Sequence, residues 1–129
     1  MLFSAAADAH RSRPPVVLDA TTIAQLGDFL GGIVADAFDV AADELRAPSR
    51  GPAQVALARQ CAMYLGRVLF SLNYSEVGQA FRRDRTTAAH ACRVIESHRD
   101  DPAFDAMLRA LETLCAGLDA AREDQGMPA

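Results

Sequence analysis

Between Asp84 and Arg93 the chain reads Asp-Arg-Thr-Thr-Ala-Ala-His-Ala-Cys-Arg. Wound as a helix, this stretch turns Ala88, Ala91, Cys92 and Ile95 to one side. Arg85, Thr86, Thr87, His90 and Arg93 are left on the other. That polar set suits the major groove of double-stranded DNA. Arginine pairs with guanine O6 and N7, threonine brings a hydroxyl and a methyl that meets thymine, and histidine donates or accepts. Asp84 has three uses open to it: capping the helix, accepting from a cytosine amino group, or orienting Arg85. No nucleophile with a base, no paired carboxylates and no metal-binding spacing lie nearby. His10 and His98 have no partners that point to chemistry. The expectation is a protein that is not an enzyme and takes no cofactor and no metal.

Several elements must position this set, and all of them read as helix. Thr22 followed by Gln25 fits a capping box. Ile23, Leu26, Leu30, Ile33, Ala37 and Phe38 follow at helical spacing, with Gly31-Gly32 a point for a kink or a split. A short helical turn is expected over 41–45, closed by Pro48 and Gly51-Pro52. From 53 to about 72 a second helix carries Val55, Ala58, Ala62, Leu65 and Leu69 in one stripe. Arg59, Met63 and Arg67 lie on the opposite arc with Gln60 beside them. A short helix follows over 75–81 with Ser75 as N-cap, then Arg82-Arg83-Asp84, then a helix over 85–98. Asp101 and Pro102 open a last helix with Phe104, Met107, Leu108, Leu111, Leu114, Cys115 and Leu118 on one face. No alternating strand pattern appears. The fold expected is all-α, a helical bundle containing a helix-turn-helix at about 75–98. Gly78 supplies the small residue two steeply crossing helices need. A disordered arm is expected over 1–18, one domain over 19–121 and a frayed tail over 122–129.

The formal net charge of −4 over 129 residues hides a strong asymmetry. Residues 1–45 carry two arginines against seven acids, and residues 100–129 the same. Residues 46–99 carry nine arginines against three acids, so the middle is net positive between two acidic ends. Arginines at a contact surface release counterions from phosphate, which makes the middle the expected contact surface. Arg82 and Arg83, beside the groove, are expected on phosphates. Cys61, Cys92 and Cys115 are too far apart, and odd in number, for a disulfide framework or zinc site, so buried thiols are expected. With no apolar run long enough for a bilayer and no secretory order at the start, a cytoplasmic protein without membrane attachment is expected.

The order of residues goes beyond a generic helix-turn-helix. Val55–Leu65 reads V-A-L-A-R-Q-C-A-M-Y-L, Ser71–Phe81 reads S-L-N-Y-S-E-V-G-Q-A-F, and Arg83–Glu96 reads R-D-R-T-T-A-A-H-A-C-R-V-I-E. Together with V-A-D-A-F-D-V-A-A-D-E-L at Val34–Leu45, this closely resembles the C-terminal DNA-binding domain of the bacterial replication initiators of the DnaA family. The likeness runs over roughly 33–115. It implies that Asp84, Arg85, Thr86, Thr87 and His90 meet bases and nearby phosphates in the major groove. It implies phosphate contacts for Arg59, Gln60 and Arg67, as their shared arc also does, and a minor-groove place near Arg50. Ser75 stands where the family has a proline, at a helix start whose amides can meet phosphate.

Three departures qualify the resemblance. The family's Phe-Gly-Gly turn is here Phe81-Arg82-Arg83, with one residue fewer before the threonine pair. Arg85 stands in place of a base-reading histidine. No Gly-x-x-x-x-Gly-Lys-Ser/Thr loop occurs in a chain without lysine, so no ATP-driven strand opening is expected. The expected function is sequence-specific binding of double-stranded DNA, in regulating transcription or replication initiation. It would act in the bacterial cytoplasm, at the nucleoid. The competing expectation is a protein-interaction module that kept the scaffold and lost DNA reading, with a partner or a second copy on the acidic flanking helices. A single unit per DNA box is favoured over a dimer.

Overall fold

The computed structural model describes residues 18–126, with side chains described up to Ala121. Most of the expected arm at 1–18 therefore lies outside the described residues, as do 127–129 of the expected tail. Among the described residues five α-helices follow one another: α1 (Ala20–Phe38), α2 (Ala53–Phe70), α3 (Tyr74–Phe81), α4 (Arg85–His98) and α5 (Pro102–Gly126). A 3-10 turn, Ala42–Arg46, stands between α1 and α2. No strand occurs among the described residues, and the fold is all-α. The last helix runs on through Gly126, past the expected boundary at 121.

Helix α1 begins three residues earlier than the Thr22–Gln25 reading placed it. Asp19 is extended and its carboxylate accepts from the Thr22 amide at 2.8 Å, so Thr22 is a capped residue and not the cap. The Gly31-Gly32 pair does not split α1, which continues to Phe38. Its buried face is Ile23, Leu26, Leu30, Val34 and Ala35. Ile33 and Phe38 are only half-buried and Ala37 is exposed. The stripe therefore lies one residue off the expected one in its second half. Asp39, with φ 55°, ends the helix in the left-handed region that aspartate tolerates better than most side chains.

Helix α2 is the axis of the bundle. It packs against α1, α3, α4, α5 and the 3-10 turn, and every residue from Cys61 to Gly66 is buried. Its neighbours cover much of the arc expected to be polar, which is why Met63 is 1% exposed and Arg59 4% exposed despite their expected outward places. Around it Leu30, Leu45, Leu65, Leu72, Val77, Phe81, Ile95 and Leu108 form a single core. Burying side chains of this size stabilises by about 1.5–3 kcal/mol each before conformational entropy is charged against it.

Helix α5 buries Leu108, Leu111 and Cys115, while Leu114 and Leu118 stay 49% and 43% exposed, so the expected single apolar face is only partly covered. Arg99 fastens this helix. Its Nε donates to Asp105 at 2.6 Å, and its Nη1 to Glu112 at 2.6 Å and to the Tyr64 hydroxyl at 3.0 Å. These ion pairs hold the Arg99 guanidinium protonated more firmly than usual against the opposing effect of burial. Arg46, unremarked in the sequence, ties three segments together. It donates to Ala80 O at 3.0 Å and Ala24 O at 2.9 Å and pairs with Asp28.

Candidate nucleic-acid interface

Helix α3, the Arg82–Asp84 turn and α4 make the helix-turn-helix. Asn73, not Ser75, opens α3. Its side chain accepts from the Glu76 amide at 2.8 Å, and Glu76 returns a carboxylate oxygen to the Asn73 amide at 2.9 Å. This is the reciprocal capping box, and it places Ser75 exposed in the first turn. The turn is tight because of Gly78. A Cβ there would stand 2.3 Å from Arg83 O, and the Arg83 amide donates to Gly78 O at 2.8 Å. Arg82 absorbs the change of direction at φ 57°, a left-handed conformation.

Asp84 then starts α4. Its Oδ1 accepts from the Thr87 amide at 2.7 Å, and that hydrogen bond, with a weaker one from the Thr87 side chain, holds the carboxyl below its usual 3.8. Of the three uses open to Asp84, the structure shows capping. Ala88, Ala91, Cys92 and Ile95 pack inward as expected. Arg85, Thr86, Thr87, His90 and Arg93 are all exposed, the first four on the opening two turns of α4.

Beside them lies a cleft of about 370 Å³ between α4, α2 and the loop before α2, whose lining includes Arg50, Gln60, Arg83, Thr87 and His90. None of its lining residues is acidic. Arg50 is exposed on the loop and Gln60 half-buried in the cleft wall. Arg67, at the far end of α2, is exposed, donates to Leu72 O at 3.1 Å and lies 4.9 Å from the Tyr74 ring centre. Arg82 is exposed at the turn.

Two arginines expected on phosphate are placed otherwise. Arg59 is buried, with its guanidinium donating to Leu45 O at 2.7 Å, Glu44 O at 3.0 Å and Arg50 O at 3.1 Å. Burial, then the nearby Arg83 and Arg50 charges, shift its titration downward. Arg83 is half-buried; its Nη2 donates to Ala47 O at 2.9 Å and Ser49 O at 3.2 Å. Its Nη1 reaches Arg82 O at 3.2 Å and Phe81 O at 3.3 Å. Both side chains satisfy carbonyls of the protein itself. In sequence each is indistinguishable from a solvent-facing cation, because the carbonyls they reach in the 44–50 stretch lie 9 to 36 positions away.

The three thiols are buried, and burial pushes Cys61 up to about 12 and Cys92 and Cys115 to about 11. Among the described residues no group of three histidines, cysteines or carboxylates is arranged to hold a metal. No helix among them is long and apolar enough to cross a membrane.

Residues 28–95 match the family model described as the bacterial dnaA protein helix-turn-helix. Among curated proteins, the chain is similar to the chromosomal replication initiator protein DnaA of Mycobacteroides abscessus, 40% identical over 76 residues. That stretch is 59% of this chain and 15% of the initiator, so the chain spans a small part of that relative's length. The family match takes in the last part of α1, all of α2 and α3, the Gly78-dependent turn and most of α4, which is over half of the sequence. On that match and this architecture, the chain belongs to the bacterial DnaA helix-turn-helix family.

Proposed function

We propose that this chain binds double-stranded DNA with sequence preference, laying the start of α4 in the major groove. The observation that carries the reading is the exposed set Arg85, Thr86, Thr87 and His90 beside an arginine-lined cleft with no acidic lining residue. Family membership supports it. In this reading Arg85 pairs with a guanine edge, while Thr86, Thr87 and His90 meet neighbouring bases or their phosphates. Arg67, Gln60, Arg82 and Ser75, in the first turn of α3, hold the phosphate backbone, which positions the protein without reading sequence. Arg50 enters the adjacent minor groove. The acids of α5 weigh less against DNA than their number suggests, since Asp105 and Glu112 are paired with Arg99.

The biological role we infer is regulation of transcription or of replication initiation by occupying short duplex sites in the bacterial cytoplasm, one molecule to a site. Because Arg85 replaces the family's histidine and the turn is one residue shorter, the resemblance does not carry the initiator's own boxes over to this chain as its preferred sequence. Selection from a randomised duplex library at moderate salt tests this. The wild-type chain enriches one motif. Arg85→Ala and Thr87→Val relax it by about 1–3 kcal/mol per lost contact, and Arg67→Ala weakens all duplexes alike. Enrichment of no sequence refutes specific recognition. A stable protein partner, with no salt-dependent binding to any duplex, favours the interaction-module reading instead.

A further inference from the structure

We infer that Arg83 and Arg59 are positioning residues, together clamping the 44–50 loop so that Arg50 is held at a fixed place relative to the start of α4. Five carbonyls of this one loop are taken by two guanidinium groups. Arg59, from α2, holds those of Glu44, Leu45 and Arg50. Arg83, from the helix-turn-helix turn, holds those of Ala47 and Ser49. Apart from Ala47, whose amide bonds Glu44 O, this stretch is irregular between Arg46 and α2, and Gly51 leaves it at φ 74°.

Arg83 connects the two reading parts directly. Its own amide is bonded to Gly78 within the turn, and Asp84, the next residue, caps α4. The loop that carries Arg50 is thereby tied to the residue adjoining the α4 cap. A planar guanidinium with several fixed N–H groups spans two carbonyls at once; a lysine ammonium is a single flexible point charge and does not reproduce that geometry. Three like charges, Arg50, Arg59 and Arg83, are gathered here without an acidic side chain lining the cleft. That is the arrangement of a loop held ready against an anionic ligand.

This inference rests on DNA binding for its consequence, but its physical core is testable without DNA. In the 129-residue chain, 15N relaxation of the Ser49, Arg50 and Gly51 amides is compared among wild type, Arg83→Ala and Arg83→Lys. The expected result is order parameters falling from about 0.85 toward 0.6 in both variants, with α2 and α4 unchanged. Unchanged values at these three amides overturn the clamp. The second arm is a double-mutant cycle of Arg83→Ala with Arg50→Ala on the selected duplex. Each single change is expected to weaken binding roughly tenfold, the scale of one good base contact. The double variant is expected to be no weaker than Arg50→Ala alone, since Arg83 acts through Arg50. Arg83→Lys is expected to match Arg83→Ala. Additive losses, with Arg83→Lys near wild type and the salt slope reduced by about 1 in Arg83→Ala, would make Arg83 a direct phosphate contact and overturn the clamp. If the wild-type chain binds no duplex, the DNA-binding proposal fails and the relaxation arm alone decides the clamp.

Discussion

Replacing Gly78 with alanine tests whether the tight turn between α3 and α4 is what this glycine is for. Two effects of opposite sign compete. Alanine in a helix interior is favoured over glycine by about 1 kcal/mol. Against this, the new Cβ would stand 2.3 Å from Arg83 O, 3.1 Å from Asp84 O and 3.2 Å from Arg83 C. A carbon–oxygen contact of about 3.3 Å is the closest comfortable approach, so the turn must retreat by about 1 Å. The atoms met are backbone, and they cannot rotate away. Overpacking of this kind costs about 1–3 kcal/mol, and weakening the Arg83 amide bond to Gly78 O adds about 1 kcal/mol. The net expectation is a loss of about 2 kcal/mol, read as a lower urea midpoint at unchanged slope and a Tm lower by about 8 °C. Gly32→Ala is the matched control. Its Cβ meets nothing within 4 Å, so only the helix-propensity effect remains and stability should rise by about 0.5–1 kcal/mol. If Gly78→Ala were as stable as wild type, close approach would not be what the glycine serves.

Further consequences can be checked with the same preparation. Arg82 sits at φ 57° without being glycine, so Arg82→Gly should stabilise the fold by about 0.5–1 kcal/mol in urea titrations while lowering the salt slope of duplex binding; a loss of stability would contradict the strain. With thiols buried and raised to about 11 or 12, none of Cys61, Cys92 and Cys115 should react with a thiol reagent at pH 8 until urea unfolds the chain. Rapid labelling of native protein would refute that. Asp84 and Asp19 are held below the usual 3.8 by amide bonds from Thr87 and Thr22, and Asp105 by its bond from Arg99. A lowered folded value means stability present above pH 3.8 and lost as pH falls through the folded values, so urea midpoints should drop on acidification below about pH 4. Asp105→Asn should flatten part of that drop; a midpoint independent of pH there would show that these bonds do not persist in solution.

Helix type and order were legible in the sequence because they depend on near neighbours. Residues 3 and 4 apart share a face, so Ala88, Ala91, Cys92 and Ile95 announced the inner side of α4 and left Arg85, Thr86, Thr87 and His90 outside. The Asn73–Glu76 capping box was also a local signal, at the same i, i+3 spacing, but Ser75 two residues later offers an equally good cap type. Only the extended conformation at Asn73 decides between them. The two arginine roles were of another kind. A guanidinium at position 59 or 83 carries the same charge and donors whether it faces phosphate or protein. What decided it was where the carbonyls of residues 44–50 came to lie once α1, the 3-10 turn and α2 were packed. The bond to Leu45 O is buried and those to Glu44 O, Ala47 O and Arg50 O are partly buried, and a donor that reaches a buried carbonyl is held there because leaving it unpaired would cost about 1–3 kcal/mol. Sequence spacing carries the periodicity of a helix, but no record of which distant backbone groups its side chains must satisfy.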